Sequence, residues 1–391
     1  CRKNSNICNN RDSFERVDWC HDMIIRQWKD VLHIVSGKNQ KAVENPNGKY
    51  PIYGSGGLMG YADDYLCGPE TVIVGRKGSI NKPIFVETPF WNVDTAFGLC
   101  ANRDVLLPKY LYYFCVAFNF EKLNTTVTIP SLTKANLQNV IIPLPPISKQ
   151  QEIAGTLSEI DNGKKKCNEI IEKLDNSIKA RFVEMFGDLA DPACKWERCK
   201  LVDACANPDD IKCGPFGTQL GKDEYTEDGV AVWEIPQINS EFKSFPTHFV
   251  TEKKAKELDA YSIIPGDIAM SRKGNVGRCA VFPATFENGI IHSDVLRIRL
   301  DITKALPEFM MRQLHYSGDV QHQIELVSSG AIMAGINVTK LKQILIYLPP
   351  IYLQNKFATF VAQVDKSKAV VQSILDKLNT LQASLMQEYF G

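Results

Sequence analysis

The chain has no excess of either charge: 45 Lys and Arg are matched by 45 Asp and Glu. That balance argues against indiscriminate nucleic-acid binding, while leaving room for a local basic face. No apolar run reaches membrane-spanning length and the first residues lack a signal-peptide core, so a cytoplasmic chain with no membrane partner is expected. The 12 cysteines form no CxxC pair. Their closest group, Cys194, Cys199, Cys205 and Cys213, lacks zinc-ligand spacing, which leaves buried reduced thiols and no metal site as the expectation.

Catalytic signatures are missing as well. The LPPI run at Leu144 to Ile147 has the outline of the (N/D)PP(Y/F) motif of amino-methyltransferases, but Leu144 cannot accept a hydrogen bond from an exocyclic amine and Ile147 cannot stack as an aromatic does. Pro208 to Lys212 holds the letters of a PD-DxK nuclease compressed into one short run, where two strands should carry them. Gly214 to Lys222 lacks P-loop glycine spacing, and Asp223 stands where Ser or Thr would hold magnesium. The six histidines show no legible nucleophile-base pair. Asp94 and Asp294 recur in the two halves without a second acid at usable spacing, which suits a turn or cap.

What the chain does have is a stretch written twice. Leu144-Pro145-Pro146-Ile147 returns as Leu348-Pro349-Pro350-Ile351, and the same offset carries Phe186-Gly187 onto Phe390-Gly391. Between these ends apolar residues step by four and three: Ile153, Leu157, Ile160, Cys167, Ile171, Leu174, Ile178 and Met185, then Phe357, Val361, Val364, Val371, Leu375, Leu378 and Leu385. This is a coiled-coil seam. Lys164 and Lys368 interrupt it at the same slot, a polar position that selects register and partner number at some cost in stability. A helix of about 39 residues spans roughly 60 Å, enough to hold two objects about one and a half duplex turns apart. Ser148 with Gln151 offers the first helix a capping box; Tyr352 denies it to the second.

The organisation follows. Residues 1–27 are polar and aperiodic and read as a poorly ordered leader. A first domain spans 28–147, a long helix 148–187, a linker with the Asp191-Pro192 helix stop 188–195, a second domain 196–347 and a second long helix 348–391. In the first domain the glycine-rich run Tyr50 to Gly60 leads to strands at Thr71 to Val74 and Ile84 to Val86, joined by the turn Arg76-Lys77-Gly78-Ser79. In the second, Asp267 to Met270 and Cys279 to Phe282 are joined by Arg272-Lys273-Gly274-Asn275. Asp94 then answers Asp294, helical runs follow at Lys109 to Phe120 and Pro307 to His315, and each half closes on a strand or short helix stopped by Pro-Pro. The fold class is α+β: two tandem mixed domains and two long helices. If the helices pair antiparallel, the domains lie at opposite ends about a pseudo-two-fold axis, matching two separated sites of opposite orientation on a duplex.

The run YGSGGLMGYADDYLCGPETVIVGRKGSINKPIFV, its partner run GPFGTQL near Gly214, the LPP boundary and the paired heptad helices resemble the specificity subunit of type I restriction-modification enzymes. The likeness covers nearly everything from Trp28 to Gly391. It implies that each half is a target recognition domain reading one part of a split double-stranded DNA sequence, and that the chain itself performs no chemistry. It implies two methyltransferase subunits and motor-nuclease subunits as partners, with S-adenosylmethionine, ATP and magnesium bound on those partners.

Arg76, Lys77, Gly78, Arg272, Lys273 and Gly274 are candidate phosphate contacts, cations on tight turns where glycine lets a backbone approach; the alternative is a solvated hairpin turn. Domains that read different sequences should differ at base-reading positions, so base readers belong in unmatched segments. Ser55, Asn81, Gln219, Lys222, Gln237 and Asn239 are the candidates, since Asn or Gln pairs bidentately with adenine and cations with guanine. A coiled-coil assembly scaffold with no DNA affinity remains the alternative that the zero net charge keeps open.

Overall fold

The computed structural model describes residues 24–124, 131–187, 189, 194–328 and 335–391. It divides into two units, 1–168 with 373–391 and 169–372. The division falls inside both long helices.

In the first unit Thr71–Gly75 is four β-branched residues and a glycine, all of it buried, the pattern of a strand covered on both faces. It lies between Ala96–Ala101 and Ile84–Val86, with Leu32–Ser36 beyond, in a four-stranded antiparallel sheet. A second sheet pairs Tyr50–Gly54 antiparallel with Gly57–Ala62 and parallel with Trp91–Asn92. The helix Pro108–Ala117, started by proline at its first position, closes a core with Trp28, Leu99, Tyr110 and Phe120, to which Ile153 and Leu157 of the first long helix belong.

The second unit repeats this order. Ile211–Cys213, Val295–Ile298, Ile268–Ser271 and Cys279–Val281 form the antiparallel sheet. Val230–Trp233 runs parallel to Gly289–Ile291 in the other sheet, which His248–Val250 and Ser262–Ile263 complete. The helix Pro307–Tyr316 packs where Pro108–Ala117 does in the first unit, with Phe309 and Leu314 buried.

Each domain ends on a strand that feeds a long helix. Ile141–Leu144 pairs antiparallel with Ile24–Gln27, and Leu345–Leu348 with Glu197–Lys200. The first of these pairs corrects the expected leader: residues 24–27 form a strand, which a four-residue edge segment with exposed Ile24 and Ile25 could not announce by periodicity. Residues 1–23 and the Asp191-Pro192 stop lie outside the described residues.

The long helices span Ile147–Phe186 and Ile351–Phe390. Lys149 and Gln150 N–H groups donate to the Pro146 carbonyl at 2.8 and 3.0 Å, so Ser148 sits inside the first turn rather than ahead of it, and the expected capping box does not form. Within each unit the helix segments run antiparallel. In the first, Ile153 and Leu157 share a core with Tyr389 and Phe390, while farther along Lys164 Nζ donates to Gln382 Oε1 at 2.7 Å. In the second, Lys368 lies 2.5 Å from Asp175, and Phe182 meets Phe357 at 5.5 Å between ring centroids. Of the seam, Ile153, Leu157, Ile160, Ile178, Phe357, Val361 and Val364 are buried; Ile171, Leu174, Leu375 and Leu378 are half-buried. Gly163 admits Leu378, whose Cδ1 would be 3.2 Å from a Cβ there. No helix among the described residues is long and apolar enough to cross a membrane.

Candidate nucleic-acid interface

The two Arg-Lys-Gly turns connect the antiparallel pairs Thr71–Gly75 with Ile84–Val86 and Ile268–Ser271 with Cys279–Val281. Gly78 and Gly274 have φ of 76° and 67°, the left-handed region that a side chain opposes. Each turn is sewn to the domain through its backbone. Arg76 N–H donates to the Thr95 carbonyl at 2.7 Å and Arg272 N–H to that of Asp294 at 2.9 Å, while the Arg76 and Arg272 carbonyls accept from Leu132 at 2.9 Å and Ile336 at 3.2 Å.

These bonds fix which residues correspond. Gly37 N–H donates to Ala96 O and Gly214 N–H to Val295 O; Val93 N–H donates to Tyr53 O and His292 N–H to Trp233 O. Thr95 therefore stands where Asp294 stands, and the expected match of Asp94 with Asp294 is displaced by one residue. Short identical letters tolerate such a slip; a hydrogen-bond register does not. The GPFGTQL run finds its counterpart at Gly37, not in the glycine run after Tyr53. A Cβ on Gly37 would lie 1.8 Å from the Val93 carbonyl oxygen, and one on Gly214 2.3 Å from that of His292.

The turn side chains differ between the halves. Arg76 and Lys77 are exposed, Arg76 lying over the Phe97 ring at 5.9 Å. Arg272 is drawn inward: it donates to the Ile336 and Ser293 carbonyls at 3.2 and 3.3 Å and covers Phe216 at 5.4 Å. Beside it, burial pushes the Cys213 thiol upward against the pull of the guanidinium. Lys273 pairs with Asp294 at 2.8 Å. Arg76 and Lys77 thus face solvent, whereas Arg272 braces the fold.

The expected base readers divide in the same way. Lys222 and Asn239 are exposed, and Ser55 is half-buried at a hairpin tip. Asn81 instead accepts the Phe120 N–H at 2.7 Å. Gln237, 2% exposed, accepts the Glu234 N–H at 3.2 Å and donates to the Phe245 carbonyl at 3.0 Å. Gln219 bonds the Tyr261 hydroxyl at 2.7 Å and accepts the Phe216 N–H at 3.3 Å. These three side chains are spent on backbone groups, an asparagine and a tyrosine, and the expectation that Gln237 reads a base is corrected by its burial.

Two groups escaped sequence reasoning. Gln150 and Gln354, both buried, recur at the repeat offset, and that recurrence of a polar residue was the signal. Gln150 accepts the Leu107 N–H at 2.9 Å and donates to the Val105 and Pro145 carbonyls at 2.9 Å; Gln354 does the same with Leu306, Lys304 and Pro349. The second group has no sequence signal, because its members come from separate strands. Glu234 Oε2 lies 2.7 Å from His248 Nδ1, its Oε1 lies 3.9 Å from His292 Nε2, and His292 Nδ1 lies 3.9 Å from Asp294.

The second unit also holds a cleft of about 960 Å³ beside its helix pair, lined among others by Glu241, Arg278, Glu308, Arg312, Asp365 and Lys368. Carboxylates and cations balance there, so it favours no charge of ligand.

The model of the type I restriction modification DNA specificity domain matches this chain twice, over 21–180 and 211–380. A putative type I restriction enzyme specificity subunit of Haemophilus influenzae is 24% identical, over 97% of this chain and 93% of its own length. The type I restriction enzyme EcoBI specificity subunit of Escherichia coli is 22% identical, over 84% of this chain and 74% of its own. Among solved structures, the S subunit of a type I restriction-modification system from M. genitalium shares the fold with a TM-score of 0.65 at 18% identity, over 94% of this chain and 96% of that one. A chain solved for the complex assembly and conformational transition of the type I system gives 0.55 at 15% identity, over 94% and 97%.

Proposed function

The chain belongs to the type I restriction modification DNA specificity family, a non-catalytic specificity subunit with two such domains, and on that premise we propose that it reads a bipartite double-stranded DNA target, one half-site per domain. Two methyltransferase subunits and, in the restricting assembly, motor-nuclease subunits act where it docks, in the cytoplasm. Adenine methylation and cleavage are theirs, with S-adenosylmethionine, ATP and magnesium bound on them. The supporting observation is the doubled frame: the family match falls once on each half, and both halves sew their Arg-Lys-Gly turn by the same backbone bonds. A shared frame suits phosphate, which is the same in every sequence, and leaves other positions free to differ at bases.

Single-molecule sequencing of modified adenines in cells expressing the chain with its methyltransferase partner tests this. Two short specified blocks separated by a fixed unspecified gap are expected; one continuous motif, or none, would overturn it. Salt-dependent retardation of duplexes by the assembled complex is the companion measurement, and its absence would favour a scaffold without DNA affinity.

A further inference from the structure

We propose that Glu234, His292 and Asp294 form the base-reading site of the second domain, with Glu234 contacting a C·G pair. The inference rests on the DNA-reading function above and deepens it to residues.

The cluster is built from two separate segments around one point of the shared frame. Glu234 follows the strand Val230–Trp233, while His292 and Asp294 follow Gly289–Ile291, the strand parallel to it. Asp294 joins the group to the Arg-Lys-Gly turn through Lys273 at 2.8 Å. The Arg-Lys-Gly turn and the polar cluster thus share one ion pair.

The first domain has the same backbone here and different chemistry. Because Val93 N–H bonds Tyr53 O as His292 N–H bonds Trp233 O, Glu234 corresponds to Gly54 and His292 to Val93, while Asp294 corresponds to Thr95. A Cβ on Gly54 would lie 2.7 Å from Met59 Sδ and 3.2 Å from Val93, so an apolar group occupies the space taken in the second domain by a carboxylate and an imidazole. Met59 itself is 59% exposed. Equal frames with exchanged side chains are what two readers of unlike half-sites need.

The donor and acceptor chemistry of the cluster suits a C·G pair. His248 Nδ1, at 2.7 Å, engages Glu234 Oε2 and fixes the carboxylate. Oε1, with His292 Nε2 at 3.9 Å, keeps lone pairs for a new donor. In the major groove the cytosine N4 amine is the donor that Glu and Asp accept, and an imidazole N–H can serve the N7 or O6 of its guanine partner. Met59, exposed over buried Val93, offers the first domain apolar contact of the kind that meets a thymine methyl.

The test maps methylated adenines in cells carrying the full chain with its partner subunits. Glu234→Gln keeps the shape and loses the charge; His292→Val installs the first domain's residue; Met59→Ala probes the other domain. For Glu234→Gln the expected result is relaxation of a C·G position in one half-site by roughly tenfold or more, with His292→Val acting on the same half-site and Met59→Ala on the other. An unchanged motif overturns the assignment, as does uniform loss of methylation across both half-sites with both second-domain variants, or relaxation of the half-site that Met59→Ala alters. A parent chain that yields no bipartite motif removes the DNA-reading function itself, a failure distinct from any of these.

Discussion

Gln354 accepts the Leu306 N–H at 2.9 Å with its Oε1, while its amide donates to Lys304 and Pro349. One buried side chain thereby ties the loop before the helix Pro307–Tyr316 to the first turn of the long helix, and Gln150 repeats the device in the first domain.

Replacing Gln354 or Gln150 by Leu leaves three backbone groups without partners. At about 1–3 kcal/mol per orphaned group, with relaxation recovering part, each variant loses roughly 2–4 kcal/mol. Urea denaturation measures this, and a loss below about 1 kcal/mol would show that water replaces the amide.

The Arg-Lys-Gly turns respond unequally. Arg272→Ala removes bonds to the Ile336 and Ser293 carbonyls and lowers the melting temperature by several degrees. Exposed Arg76 and Lys77 changed together to Ala leave melting unchanged, weaken binding to all duplexes about equally and reduce the salt slope by roughly 1 for every phosphate no longer neutralised. Fluorescence anisotropy across a salt series reads this out; a switch of preferred half-site instead would make these residues base readers.

His315 carries a pH signature. Burial, then Arg278 and Arg312, hold its imidazole down to about 4 against 6.5, with Glu241 opposing, and its Nε2 accepts the Cys279 N–H at 3.3 Å. The unfolded chain takes up the proton first. Stability is thus intact above pH 6.5 and falls as pH drops towards 4, by roughly 3 kcal/mol in all. Replacing His315 by Gln flattens that decline in denaturation midpoints between pH 7 and 4; an unchanged slope would assign it to other groups.

Inserting two helical turns in heptad phase, at facing positions of both long helices, adds roughly 10 Å to each rod. The gap between methylated half-sites then widens by about 3 base pairs at 3.4 Å each. Methylation mapping that returned the parental gap would show that the rods do not set it.

The sequence by itself determined the duplicated plan. The LPP boundary, the heptad steps from Ile153 and Phe357, and the strands at Thr71 and Ile268 were legible because periodicity and proline stops are local properties that neighbouring residues state together. The candidate site was legible only in its turns, where glycine at 78 and 274 marks a backbone demand. Tertiary structure alone decided the rest. The strand at residues 24–27 exists through its partner at 141–144, Gln237 was withdrawn from the surface by a bond to Phe245, and Thr95 rather than Asp94 proved equivalent to Asp294. Glu234 and His292 are distant in the chain and meet because a parallel strand pair brings their ends together, and an antiparallel neighbour adds His248. Pairing between remote segments is set by hydrogen-bond register and packing, which no short run of residues can spell out.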